Sequence, residues 1–300
     1  MSVILVTGSS GQVGLELLRA LASLGEVVAP GRSEMDLANT DSVQAMIQAV
    51  RPRWIVNPAA YTAVDKAESE PELAYAINAE AVRAMGEEAR QIGAAIIHFS
   101  TDYVFPGTGN APYVETDETA PLSVYGASKL AGEKLLAETG AEHMIFRTSW
   151  VYGGQGKNFL LTILKAAKER ERLRVVADQY GAPTWSRDLA RLTAHVIRRA
   201  EGAAAGKDLS DAIGGLNGVY HAAAEGETTW HGFAEEAVRL QREREPSVRL
   251  AEVDAISTTE YPTPATRPAN SRLNCGKLAK KFGWRMMDWR ESLREVMNEL

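Results

Sequence analysis

Apolar positions in the first half of the chain follow two alternating rhythms. Short, near-continuous apolar runs at Val3–Val6, Glu26–Ala29, Trp54–Asn57, Ala95–Phe99 and Met144–Arg147 read as strands covered on both faces. Between them, Val13–Leu24, Asp41–Val50, Glu72–Gln91 and Val124–Glu138 carry apolar residues at helical spacing. Asp41 reads as a helix cap ahead of the stripe Val43, Met46, Ile47 and Val50. Strands that alternate with helices in this way predict a parallel sheet with crossover helices.

After Trp150 the spacing widens. A helix at Phe159–Arg170, a strand at Leu173–Val176 and a helix at Asp188–Arg199 are expected. The Gly- and Ala-rich stretch from Glu201 to Gly218 reads as a flexible surface excursion. A strand at Val219–Ala222, a helix at Phe233–Arg242, the Pro-rich segment Tyr261–Pro268 and a terminal helical region follow. No internal repeat is visible. The pattern divides the chain into a sheet domain over residues 1–150 and a smaller substrate-covering lobe over 151–300, with some later segments free to return to the sheet.

Composition narrows the function classes. The 300 residues are 45% hydrophobic and 24% charged, with a formal net charge of −6. That balance is ordinary for a globular protein and offers no basic footprint for nucleic acid or an anionic membrane. No run approaches the length of a membrane span, and the amino terminus reads as a strand with no signal peptide. The single cysteine, Cys275, excludes an internal disulfide, fits a reducing cytoplasm and reads as packing.

Candidate chemistry begins at Thr7-Gly8-Ser9-Ser10-Gly11-Gln12-Val13-Gly14, which follows the first strand and opens the first helix. In that context Gly8 makes the tight turn, Gly11 admits a pyrophosphate to the backbone, and Gly14 allows close packing. Free N–H groups at the helix start, including those of Gln12 and Val13, suit an anionic ligand. A dinucleotide cofactor on a Rossmann-type doubly wound sheet is therefore expected. Arg32 and Ser33 stand where an acidic residue would select NADH, and a guanidinium pairs well with a 2′-phosphate, so NADPH is favoured. Asp36, beside Leu37, is placed to serve a ribose or the adenine, and NADH stays an open alternative.

Tyr125-Gly126-Ala127-Ser128-Lys129 adds a second signal. Residues four apart share a helix face, so the phenol and the ammonium project together. A neighbouring cation is expected to lower the phenol pKa from about 10 towards about 7, into the range of an efficient acid–base group.

Asn57-Pro58-Ala59-Ala60-Tyr61-Thr62, Asn78, Ser100-Thr101-Asp102 and the Tyr125/Lys129 pair resemble the extended short-chain dehydrogenase/reductases. The segments 63–71, 100–108, 146–152, 178–184 and 261–268 sharpen the resemblance to the dTDP-4-dehydrorhamnose reductases, over nearly the whole chain. That resemblance implies reduction of the 4-keto group of dTDP-4-dehydro-β-L-rhamnose to dTDP-β-L-rhamnose, for surface polysaccharide. Tyr125 would supply the proton, Lys129 would tune it and hold the nicotinamide ribose, and Thr101 would bond the same substrate oxygen. Ala60, Tyr61, Thr62 and Phe99 would line the cofactor. Asp102 and Trp150 would meet the sugar, and Asn158 and Arg267 the diphosphate. Asn158 equally suits a helix cap, and Arg267 a surface charge.

Some members of that family join subunits through magnesium held by carboxylates. Glu16 keeps the first of these, but Arg187 and Arg290 occupy the aligned positions of the others and repel a divalent cation. A monomer or a differently built homodimer is expected, without metal. His98 reads as a satisfied core residue; His143, His195, His221 and His231 lack metal-ligand spacing. Two rivals share the motifs. A related nucleotide-sugar epimerase would release C3/C5 epimers without net cofactor oxidation. A regulatory subunit like the β-subunit of methionine adenosyltransferase would bind a synthetase and turn over no keto-sugar.

Overall fold

The computed structural model describes residues 2–204, 209 and 213–300. The first half runs β1 (Ser2–Val6), α1 (Gln12–Leu21), β2 (Gly25–Val28), α2 (Thr40–Val50), β3 (Trp54–Asn57), α3 (Val64–Ala67), α4 (Pro71–Tyr75), α5 (Ala81–Ile92), β4 (Ala95–Thr101), α6 (Val124–Glu138) and β5 (Glu142–Thr148). These strands and the late strand Gly218–His221 form one six-stranded sheet, all parallel, in the order Gly218–His221, β5, β4, β3, β1, β2.

Side chains leave a strand alternately to either face, and here both destinations are apolar. Ile4, Val6, Trp54, Val56, Ile97 and Phe146 enter a core closed by α1 and the helix Ser186–Ala204. Leu5, Ile55, Ile96 and Ile145 enter a second core closed by α2, α5 and α6. Burial on both faces explains why the strands read as continuous apolar runs. The chain leaves β1 for β2 on one side and for β3 on the other, which opens a crevice at their carboxyl ends.

Several boundaries depart from expectation for local reasons. The cap of α2 is Asn39, whose Oδ1 accepts from the backbone of Asp41 and Ser42. Asp41 instead sits in the first helical turn. The helix expected over 72–91 is interrupted by a π-helical turn, Ala76–Glu80, which carries Asn78 inward. Of the expected excursion over 201–218, Glu201–Ala204 continues a helix. Ala204, Leu209 and Ile213 are buried in the first core, and residues 205–208 and 210–212 lie outside the described ones.

In the second half, Arg172–Val176 pairs in parallel with Glu252–Ile256, and two two-residue strand pairings join shorter segments. Helices Phe159–Glu169, Trp230–Arg244 and Trp289–Glu299 close two further apolar clusters around Tyr152, Trp185, Phe233 and Trp289, and around Leu173, Val175 and Val238.

Candidate active site

The glycine-rich turn is built by close approach. Gly8 has φ +56°, and a Cβ there would stand 2.9 Å from the Ala59 methyl. Its carbonyl accepts from the Gly11 amide at 2.9 Å. A Cβ on Gly14 would lie 2.1 Å from that same carbonyl, so the third glycine is required by the turn itself. α1 begins at Gln12 with Gly11 as its cap and no side chain satisfying its first amides. Those free N–H groups face the crevice and suit a phosphate.

Two cavities meet at this turn, sharing Gly8, Ser10, Ala59 and Ala60. The smaller, about 280 Å³, is lined by Arg32, Asp36 and Leu37 beside Met35 and Ile77. Arg32 is exposed and, among the described residues, makes no ion pair. Asp36 is turned to its own loop, with Oδ1 accepting from the Ala38 amide. The larger cavity, about 610 Å³, brings together Gly11, Gln12, Val13, Gly14, Ala60, Thr62, Phe99, Thr101, Asp102, Tyr125, Lys129 and Trp150. A glycine-lined phosphate cradle between an adenosine-sized recess and a recess of polar side chains fits a dinucleotide.

α6 carries Tyr125 and Lys129. Ser123 caps it by accepting from Gly126 N, and Gly126 and Gly132 let it press on the backbone. A Cβ on Gly132 would stand 2.0 Å from the Asn78 carbonyl. Asn78 Nδ2 also donates to Ser128 Oγ, at 3.0 Å, and to the Tyr61 carbonyl, while its Oδ1 accepts from Tyr61 N. The π turn therefore locks the segment after β3 to α6, a recurrent use of such turns.

Lys129 is buried, with Nζ donating to the Phe99 carbonyl at 2.6 Å and lying 3.2 Å from His98 Nε2. Burial pulls its pKa down to about 8, against a raising influence from Glu133. Tyr125 is pushed up to about 12 by burial, helped by the charge of Asp102 and opposed by a hydrogen bond with Thr101. The expected lowering of the phenol by Lys129 is therefore corrected. The ammonium is tied back to β4, and desolvation dominates. A phenol held protonated is the form that donates. Asp102 is also buried, and burial lifts it to about 6 against hydrogen bonds from Ser271 and Thr101. Its Oδ2 has no partner among the described residues.

Trp150 adopts φ +48°, a strained value for a non-glycine residue. Its ring stacks on Trp230 at 3.7 Å between centroids, and a Cβ on Gly181 would stand 2.6 Å from it. The tryptophan is held between a backbone and a second indole. Trp230, Tyr103 and Lys157 also line the cavity and were not anticipated. Trp230 reaches it by folding over from the first turn of the helix Trp230–Arg244, a placement no local pattern encodes.

Three expected residues lie elsewhere. The Tyr61 hydroxyl donates to Glu70 at 2.6 Å, and Tyr61 is not among the lining residues. Asn158 caps the helix Phe159–Glu169 through Leu161 N, with Nδ2 donating to Gln12 Oε1 at 3.0 Å. Arg267 pairs with Asp65 at 2.8 Å and lines a separate cavity of about 700 Å³ with Asp178, Tyr180, Asn270 and Arg272.

The residues do not fit a bridging magnesium. Glu16 accepts from Arg187 Nε at 2.9 Å, and Arg187 also pairs with Glu299. Arg290 lies over the Trp289 ring at 4.4 Å. A guanidinium fills the place where further carboxylates would be needed.

The chain is 49% identical over 303 aligned residues to a dTDP-4-dehydrorhamnose reductase of Escherichia coli (strain K12), covering 99% of this chain and 97% of that protein. It is 46% identical to the enzyme of the same name from Burkholderia thailandensis, over 99% of this chain and 98% of that one. The crystal structure of dTDP-4-dehydrorhamnose reductase from Bacillus anthracis in complex with NADP superposes with a TM-score of 0.88 at 34% identity, over 100% of this chain and 99% of that chain. The model of the RmlD substrate binding domain matches residues 1–300. The chain belongs to the RmlD substrate binding domain family.

Proposed function

We infer that this chain is an NADPH-dependent oxidoreductase that reduces the 4-keto group of dTDP-4-dehydro-β-L-rhamnose, giving dTDP-β-L-rhamnose for polysaccharide biosynthesis. The observation that carries the reading is the convergence of Tyr125, Lys129 and Thr101 with the glycine-rich turn in one cavity. When bound, the nicotinamide supplies hydride to the sugar C4 carbon.

Everything else falls to the chain's own groups. Tyr125 donates its phenolic proton to the oxygen that becomes an alkoxide, and solvent returns a proton to the phenolate. Thr101, which bonds Tyr125, orients the same oxygen. Lys129, fixed on Phe99 O and His98, keeps an N–H for the ribose hydroxyls. Gly8, Gly11 and Gly14 with Gln12 and Val13 cradle the pyrophosphate, and Arg32 meets the 2′-phosphate.

Asp102 and the Trp150–Trp230 stack hold the sugar. The cavity of Tyr180, Arg267 and Arg272 takes the nucleoside diphosphate, offering two guanidiniums and a half-exposed ring on which a base stacks. In this reading residues 1–150 supply the cofactor domain and 151–300 most of the substrate lobe. The protein works in the cytoplasm as a monomer or a metal-free dimer. No helix among the described residues is long and apolar enough to cross a membrane.

The deciding assay follows NADPH absorbance on addition of freshly made dTDP-4-dehydro-β-L-rhamnose. Loss of absorbance with formation of dTDP-β-L-rhamnose is expected. Epimer release without NADPH consumption would overturn the reading.

A further inference from the structure

A line of buried polar side chains runs beneath the cavity floor, from α6 across β4 and β3 to the end of β1. Lys129 Nζ meets His98 Nε2 at 3.2 Å. His98 Nδ1 meets the Asn57 amide at 3.0 Å, from the position paired with it across β3 and β4. As placed, Asn57 Nδ2 is the atom on His98, and Asn57 Oδ1 accepts from Thr7 Oγ1 at 2.5 Å, while Thr7 Oγ1 accepts from the Ala59 amide at 3.4 Å. Thr7 immediately precedes Gly8. His98 is fully buried, and Asn57, Thr7 and Lys129 are nearly so. Packing alone needs no histidine at the centre of an apolar strand, and burying four polar side chains is costly unless they satisfy one another.

We propose that His98 is a positioning residue for Lys129: a neutral imidazole that accepts from the ammonium and, through Asn57 and Thr7, ties it to the glycine-rich turn. This rests on the role given above to Lys129. An ammonium has three donors. Two are spent on Phe99 O and His98 Nε2, so the direction of the third is fixed. An ammonium has no lone pair, so Nε2 accepts and the ring proton sits on Nδ1; Asn57, whose Nδ2 stands at Nδ1 and whose Oδ1 accepts from Thr7, must then turn its amide over to present oxygen to the ring. Burial and the adjacent Lys129 depress the His98 pKa, which keeps the ring neutral. The other ionisable groups nearby are Tyr125 and Glu133 on α6, Arg147 and His143 on β5, and Asp102 beyond β4. Glu133 is already claimed by Arg147 at 2.6 Å.

The test replaces the acceptor and reads position and charge separately from stability. Gln at 98 places a polar atom where Nε2 stands, Asn only where Nδ1 stands, and Leu neither. His98→Leu and His98→Asn are expected to lower kcat by about tenfold to a hundredfold, the scale of a misplaced reacting group. Sugar KM should change little, while the thermal midpoint of the Leu variant should fall, because Lys129 and Asn57 are left buried without that partner. The alkaline limb of kcat should move to lower pH, by about one unit, because the ammonium loses a bond that favours it. His98→Gln should recover most of the rate and the limb. Equal rates and limbs for folded Gln and Asn variants would overturn the proposal.

A readout on the unmutated protein stands beside this one in case the variants do not fold. Histidine-ring ¹⁵N spectra at pH 7 should show His98 neutral with its proton on Nδ1. An imidazolium, or a proton on Nε2, would overturn it equally. The spectra require no turnover, so a failure of the proposed reaction and a failure of this inference are told apart.

Discussion

At the scale of single residues, chemistry and burial pull in different directions, and the balance is measurable. Tyr125→Phe removes only the transferable proton. Turnover of the keto-sugar is expected to fall by about a hundredfold to ten-thousandfold, the usual contribution of a positioned acid. NADPH affinity, read by fluorescence titration, should stay within about threefold, or about 0.6 kcal/mol, because the ring, Lys129 and the glycine-rich turn are all kept. Arg32→Ala should raise KM for NADPH by about tenfold or more and leave NADH unchanged, since a charge-assisted hydrogen bond contributes about 1.5–3 kcal/mol. Asp102 offers a pH test. Its folded pKa of about 6 stands above the reference 3.8, so its protonated form stabilises the fold below about pH 4. That contribution is lost as pH rises through 6. Asp102→Asn keeps the shape without the titration, so its urea midpoint relative to the parent should rise between pH 4 and 7. The limit is about 3 kcal/mol at about 1.4 kcal/mol per pKa unit. The residue types of this site were legible because a cofactor turn and a Tyr/Lys pair have short, local signatures. The direction of the Tyr125 shift was not, because desolvation depends on what the rest of the chain lays over the ring.

Elements transmit these placements, and the tightest joint is the one between α6 and the π turn at Ala76–Glu80. Gly132→Ala would drive a methyl into the Asn78 carbonyl, 2.0 Å away with no side chain to give way. Overpacking of this kind costs about 1–3 kcal/mol. The backing helix must shift, and Tyr125 and Lys129 ride on it. Thermal unfolding should therefore show a lower midpoint, and kcat should fall together with it. A surface control on the same helix, Lys134→Ala, should do neither. The periodicity over 72–91 announced one helix because a π turn adds a single residue to a turn and leaves the apolar stripe nearly in phase. Asn39 and Asp41 are both good caps by type, and only the chain's entry angle into α2 decides between them. The strand expected at Val219–Ala222 forms one residue earlier, at Gly218–His221, yet nothing local says that it returns to the edge of the main sheet beside β5.

For the molecule as a whole, the second half is fastened to the first by side chains far apart in sequence, and Arg187 is the clearest of these fasteners. It pairs with Glu16 of α1 and with Glu299 near the carboxyl terminus, and lies over the Trp185 ring at 4.6 Å. Its flanking glutamates have their pairing charge within the chain, so a divalent cation has nothing to neutralise there. The arginine was visible in the sequence as a misfit to a metal-binding pattern. That it bridges both termini was not, because three segments must first be folded together. Two measurements follow from one geometry. Sedimentation velocity with a chelator, with none, and with added magnesium should give one and the same coefficient. A species that dissociates in chelator and reforms with magnesium would show that carboxylates outside this clasp bind the ion. Arg187→Met keeps the stem over Trp185 and removes the charge, leaving the part-buried Glu16 carboxylate and the exposed Glu299 carboxylate without it. The expected cost is about 1–2 kcal/mol for a partly screened pair of this kind, or a fall of a few degrees in Tm at about 2–4 °C per kcal/mol. Restoring the balance with Glu16→Gln in the same chain should recover part of that loss, since the like-charge repulsion disappears with either carboxylate. If the double variant is no more stable than the single one, the three side chains do not act as a unit, and the clasp is only a surface contact.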